Sequence, residues 1–173
     1  MAEVDEARLQ DFLGKMLGDL GGAMSVALVR MGSNMGLYSA LEKDGPATPA
    51  ELAARTGTAE RYVREWLSAQ AASGYVAYDA ATGRFSLTPE QALVFVDEDN
   101  PFFLAPAFDV ATVLLDNQPQ VQDAFRTGSG VGWGDQSSCL FCTTARFFRP
   151  GYVAHIVQDW LPALDGVVAK LDQ

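Results

Sequence analysis

Few residues in this chain are of types that do chemistry. It has one histidine, His155, and two cysteines, Cys139 and Cys142. Cys139-Leu140-Phe141-Cys142 is a C-x-x-C, but a structural zinc site needs four ligands and His155 adds only one candidate. A redox pair of this kind belongs at the start of a helix in a thioredoxin-like unit, and no such unit is suggested here. Both thiols are expected to be free and at least partly buried, and no metal site is expected. His155 falls among Tyr152, Val153, Ile156 and Trp160 at helical spacing. With no serine or acid at a useful spacing, it reads as a hydrogen-bonded core or interface residue rather than a base. Gly128-Ser129-Gly130-Val131-Gly132-Trp133-Gly134-Asp135 resembles a phosphate loop, yet lacks the Lys-Ser/Thr that must follow and does not join a strand to a helix. It is read as a flexible loop that presents Trp133 and Asp135, and such loops often carry function.

Phe147-Phe148-Arg149-Pro150-Gly151-Tyr152 has two readings. One is a helix–helix corner whose aromatics are core, which chemistry alone favours. The other is one wall of an apolar pocket for a flat organic ligand, with Arg149 or Tyr152 supplying polarity. The candidate substrate-binding set is therefore Trp133, Asp135, Phe141, Phe148, Arg149 and Tyr152. No residue is assigned a catalytic role.

The elements that must position these residues follow from periodicity. Leu9, Phe12, Leu13, Met16, Leu17 and Leu20 recur every three or four residues and predict a helix from Asp5 to about Arg30. Its glycines, Gly14, Gly18, Gly21 and Gly22, weaken it alone and suit packing on a second subunit or on its own core. A short helix holding Leu37 and Leu41 stops at Asp44-Gly45-Pro46. Thr48-Pro49-Ala50-Glu51 is a capping box, and Thr58 is expected to cap the next helix, whose inner face is Val63, Trp66, Leu67 and Ala71. Tyr75-Val76-Ala77-Tyr78 and Arg84-Phe85-Ser86-Leu87 flank a turn and predict a hairpin. Thr88-Pro89-Glu90-Gln91 starts another helix, Phe103 to Leu115 an almost wholly apolar one, and Gln120 to Phe125 a short one. Phe141–Phe148 and Tyr152–Leu164 are expected as two helices separated at Arg149-Pro150-Gly151.

Helix, helix, turn, helix and hairpin in that order define a winged helix-turn-helix. The expected fold is mainly α: a winged helix-turn-helix with long flanking helices and one small β-hairpin. The expected organisation is N-terminal dimerisation helices at 1–32, the winged helix at 33–95 and a helical pocket region at 96–173. The net charge of −10 repels polyanions. On the would-be recognition helix Arg61 and Arg64 are matched by Glu60 and Glu65, and on the wing Arg84 by Asp79, so DNA is not the expected partner. The acidic start resembles no signal peptide and no membrane span is expected, which suggests a cytoplasmic protein.

From roughly Phe12 to Leu171 the chain resembles class I S-adenosylmethionine-dependent methyltransferases with an N-terminal winged helix, of the actinobacterial type, some members being labelled transcriptional regulators. The resemblance rests on Met35-Gly36-Leu37-Tyr38, Thr48 to Ala53, Arg61 to Leu67, and above all Arg146-Phe147-Phe148-Arg149-Pro150-Gly151-Tyr152 followed by Trp160-Leu161-Pro162-Ala163-Leu164-Asp165-Gly166. It implies a front domain that forms a homodimer and supplies a pocket for a small aromatic or apolar substrate. A Rossmann-like domain binding S-adenosylmethionine would follow, and that domain is expected to be absent from this chain. The cofactor is thus expected in the intact protein and not on this chain alone, which is expected to be inactive by itself. The alternatives are a winged-helix transcriptional regulator responding to a small ligand, and a bare dimerisation module.

Overall fold

The computed structural model describes residues 4–171. The chain opens with the 29-residue α1 (Glu6–Asn34), capped by the Asp5 side chain, which accepts from the Arg8 N–H at 3.2 Å. It runs unbroken through position 32. After a left-handed turn at Gly36, α2 (Leu37–Asp44), α3 (Pro49–Thr56) and α4 (Glu60–Ala72) follow. Strands β1 (Ala77–Asp79) and β2 (Arg84–Ser86) pair antiparallel with Tyr78 opposite Phe85, and Ala47 bridges to Phe85 from the α2–α3 connection. Helix α5 (Pro89–Phe95) closes the winged helix-turn-helix. Then come α6 (Ala105–Asp116), α7 (Gln118–Thr127), a 3₁₀ turn (Trp133–Asp135), α8 (Ser138–His155), a π turn (Ile156–Trp160) and α9 (Val167–Leu171). The fold is mainly α, and the one sheet among the described residues is the two-stranded hairpin. No Rossmann-like unit is built by them.

Local chemistry explains the sharp boundaries. At α3 the Thr48 hydroxyl accepts from the Glu51 N–H at 3.3 Å while Glu51 accepts from the Thr48 N–H at 2.8 Å. Thr88 and Gln91 repeat that exchange at α5, at 3.3 and 2.9 Å. Each box satisfies two of the four N–H groups a helix start leaves free. Thr58 does not cap α4, contrary to expectation. The N-cap is Ala59, and the Thr58 hydroxyl lies 2.8 Å from that of Thr56, drawn back across the Gly57 turn. The hairpin is also shorter than its pattern, because the Tyr75 and Val76 N–H groups donate to the Gln70 carbonyl and finish α4 instead.

The core lies inside the winged helix. Tyr38 stacks on Phe95 at 4.5 Å between ring centroids and meets Trp66 edge-on at 5.0 Å. Its hydroxyl donates to the buried Gln70, and burial pushes its pKa up. Leu52, Leu67 and Val29 are wholly buried around this cluster. The C-terminal part of α1 joins the core where Trp66 donates its indole N–H to the Leu28 carbonyl at 2.8 Å. There Gly32 permits close approach, since a Cβ at that position would fall 2.3 Å from the Trp66 ring.

Behind the winged helix, α6 packs on both α1 and α8. Arg30 of α1 pairs with Asp109 of α6 at 2.7 Å. From α8, Arg146 pairs with Glu98 and Arg149 with Asp99 at 3.3 Å, which ties α8 to the α5–α6 loop. The break expected at Arg149-Pro150-Gly151 does not occur. Helix α8 continues through Pro150, whose missing N–H removes a single bond from the ladder and whose ring is buried. The helix widens later, at the π turn. Residues 4–24, which include most of α1, are all exposed. By length and composition alone α1 is long and apolar enough to cross a membrane, where the sequence had led to no span being expected.

Candidate functional site

The six residues singled out from sequence fall on α8 and the loop before it, in two groups. Trp133, in the 3₁₀ turn, meets Phe141 edge-on at 5.1 Å. The turn is held because the Asp135 N–H donates to the Gly132 carbonyl at 3.1 Å, and Gln136 bonds the buried Asn117 at the α6–α7 junction. Asp135 folds back over this loop: a Cβ on Gly132 would lie 2.6 Å from its Oδ2. Further along α8, Phe148 stacks on Tyr152 at 5.9 Å, and Tyr152 meets Trp160 edge-on at 5.7 Å.

Helical geometry relates the two groups. Phe141 and Phe148 are seven residues apart and Tyr152 four further, so all three share one face, over roughly 16 Å of helix. Phe148, Tyr152 and Trp133 are exposed. This face is a row of aromatic rings open to one side, not an enclosed cavity. Arg149 does not join it. It lies about 100° around the helix from Phe148 and is engaged with Asp99.

Three features differ from the sequence reading or escaped it. Cys139 and Cys142 are free but exposed, because both sit on the solvent side of the first turns of α8. His155 is exposed, and its Nδ1 lies 2.6 Å from Asp159 Oδ2. Asp159 is the acid at a useful spacing that the sequence reading had not found, brought one turn on by the helix. A groove of about 730 Å³ between α1, α2 and α4 is lined by Leu28, Met31, Met35, Tyr62 and Trp66, and by none of the six candidates.

The basic residues a DNA-reading winged helix would present are engaged within the chain. Arg61 pairs with Glu65 and Arg64 with Glu60. Arg84 on the wing donates to Glu51 at 2.8 Å and to the Pro46 carbonyl at 2.9 Å. Glu51 is held down at about 2, first by the Thr48 N–H and then by Arg84.

Residues 22–96 match the family of the Rv2258c-like winged HTH domain. No curated protein matches the chain. Among solved structures, it is similar to PigF with SAH (TM-score 0.64, 20% identity, 90% of this chain and 48% of that one). It is also similar to the mitomycin 7-O-methyltransferase MmcR (0.66, 18%, 87% and 47%). A third is CalO1, a methyltransferase in calicheamicin biosynthesis in its SAH-bound form (0.51, 26%, 88% and 47%). The chain spans about half the length of each.

Proposed function

We propose that this chain is the substrate-recognition and self-association region of a cytoplasmic S-adenosylmethionine-dependent methyltransferase acting on a small aromatic or apolar molecule. The observation that carries this reading is one of extent. About nine-tenths of the chain follows the fold of the mitomycin 7-O-methyltransferase MmcR and of the methyltransferase CalO1, and it accounts for just under half of each of them. CalO1 and PigF are each described with SAH bound. Among the described residues nothing fits that group: the glycine-rich loop joins α7 to a 3₁₀ turn, and no strand feeds a phosphate- or ribose-binding helix start. The methyl donor is therefore assigned to the intact protein and not to these residues.

Methyl transfer is an in-line displacement, so a protein contributes by positioning the acceptor and excluding water. An exposed row of aromatic rings suits that task. Trp133, Phe141, Phe148 and Tyr152 form one wall against which a flat acceptor stacks, with Asp135 at its loop end and Arg149 fixing α8 on the body. The winged helix acts as the scaffold. With Arg61, Arg64 and Arg84 already paired, it does not read duplex DNA.

The test is methyl transfer from labelled S-adenosylmethionine to a panel of aryl alcohols by the intact protein, with Trp133→Ala and Tyr152→Ala compared. Each is expected to raise the acceptor KM about tenfold, roughly 1.4 kcal/mol, and to leave cofactor affinity unchanged. Unchanged acceptor kinetics in both variants would remove the aromatic wall from the site.

A further inference from the structure

A helix starting at Phe141, as the sequence suggests, would leave Cys139 outside it and deprive the C-x-x-C of the helix start that a redox pair uses. Helix α8 begins at Ser138 instead and takes both cysteines into its first turns. Three residues apart, the two stand about 60° apart around the helix and about 4.5 Å apart along it. Their Cα atoms are then about 5 Å from each other, inside the span of about 4.4–6.8 Å that a disulfide bridges. Leu140, between them, is buried in the stack of helices, while both thiols are free and exposed. The chain has two cysteines, so one pairing is possible within it. The Ser137 side chain makes no cap bond and the first turn holds no acidic residue. The first N–H groups of this 18-residue helix are therefore open to negative charge.

We propose that Cys139 and Cys142 form a reversible dithiol–disulfide site at the head of α8, oxidised by exchange with a low-molecular-weight disulfide. In the first step one thiolate attacks a sulfur of the small disulfide. A protein–small-molecule S–S bond forms, and the first small thiolate leaves with the electron pair of the broken bond. In the second step the other cysteine thiolate attacks the protein sulfur of that bond and expels the second small thiolate. Two protein thiols are oxidised, one small disulfide is reduced to two thiols, and the two protons lost by the cysteines pass through solvent to the released thiolates. Because neither cysteine is covered, the product bond stays open to reduction by the same exchange, which suits a sensing pair and not a structural crosslink. A metal ion fits the pair less well, since no group of three ligating side chains occurs among the described residues. Phe141 leaves the helix about 130° around from the middle of the pair, so closing the bond leaves its contact with Trp133 in place. The site does not depend on methyl transfer.

Intact-mass spectrometry of the reduced 173-residue chain after incubation with oxidised glutathione tests it. The wild type is expected to lose two hydrogens and to keep no glutathionyl group. Cys139→Ser and Cys142→Ser are each expected to stop at the first step and to keep one. In Cys142→Ser/Ala145→Cys the two thiols stand about 10 Å apart on the helix, beyond the ~7 Å that a disulfide can bridge, and each is expected to keep its own glutathionyl group. All these positions are exposed, so the variants should retain the circular dichroism of the wild type. Ring closure is expected to be at least tenfold slower in urea, where α8 no longer holds the pair together. Reduced glutathione in excess is expected to restore both thiols. A wild type that keeps a glutathionyl group, links to a second copy or does not react would overturn the proposal. So would closure in the displaced pair, or equal rates in the folded and unfolded chain.

Discussion

The winged helix and the helices behind it use apolar residues in opposite ways. In the first, the buried cluster running from Val29 to Ala105 is closed on itself, with Tyr38 at its centre against Phe95 and Trp66. Beyond Ala105, the buried apolar side chains among the described residues are Pro106, Val113, Leu140 and Pro150, while Leu114, Leu115, Phe125, Tyr152, Trp160 and Leu164 face outward. Both regions are rich in large apolar residues. What differs is closure: the four short helices α2 to α5 and a hairpin surround a volume, whereas α6, α7 and α8 form an open stack with one side unfilled. Surface of that extent belongs to contacts, and it is where the aromatic row of α8 lies. One part of the molecule is a finished fold, and the other is a surface held in place by it.

The largest expected effect tests that contrast directly. Leu67→Ala empties a wholly buried site and is expected to cost about 3 kcal/mol in denaturant unfolding. Leu164→Ala, the same chemical change on the open side, is expected to cost less than about 0.5 kcal/mol. Equal costs would mean that the rear helices bury far more than the structure displays.

A smaller effect sharpens the comparison within a single helix. Gly32 in α1 has Trp66 and Tyr38 at 2.3 and 2.6 Å from where a Cβ would stand, so Gly32→Ala forces two core rings apart and is expected to destabilise by about 1–3 kcal/mol. Gly14, on the same helix, has nothing within 4 Å. Gly14→Ala is expected to stabilise by up to about 1 kcal/mol through helix propensity alone. Thermal melts of the two variants should therefore move in opposite directions. A shared direction would show that α1 is not anchored where Gly32 meets the rings.

The contrast also explains what could be read in advance. Thr48, Glu51, Thr88 and Gln91 announce their helices because capping is local chemistry, complete within four residues. The hairpin and the inner face of α4 are legible for the same reason. The outer helices are less so. Pro150 promised a break that a buried ring in a packed helix avoids. Even in the closed half, Thr58 promised a cap for α4, but its hydroxyl pairs with that of Thr56 instead. Cys139, Cys142 and His155 were expected to be covered because apolar neighbours in sequence suggest burial, but on an open face neighbours in sequence do not become neighbours in a core. The aromatic set of α8 could be named from spacing. The groove beside Tyr62 and Trp66 could not, since it depends on how α1 and α4 diverge in space.

The smallest expected effect concerns the ties that keep the wing on the closed half. Glu51 has an ordinary pKa of 4.5 and is held at about 2 by the Thr48 N–H and by Arg84. Hydrogen bonds within the turn lower Asp79, and those at the start of α5 lower Glu90. A carboxylate whose folded value is depressed adds stability that is complete above its unfolded value and lost as pH falls toward the folded one. The wing is therefore expected to loosen between pH 4.5 and about 2 and to be indifferent to pH near neutrality. Glu51→Gln keeps an acceptor for the Thr48 N–H, as Gln91 does for Thr88, but gives up the ion pair with Arg84. Its melting temperature at pH 7 is expected to drop by about 2–4 °C. Between pH 4.5 and 2 it should fall less steeply than that of the wild type, Asp79 and Glu90 supplying the remaining slope. A variant with an unaltered acid limb would show that the Glu51 carboxylate, despite its position between Thr48 and Arg84, does not hold the wing to α3.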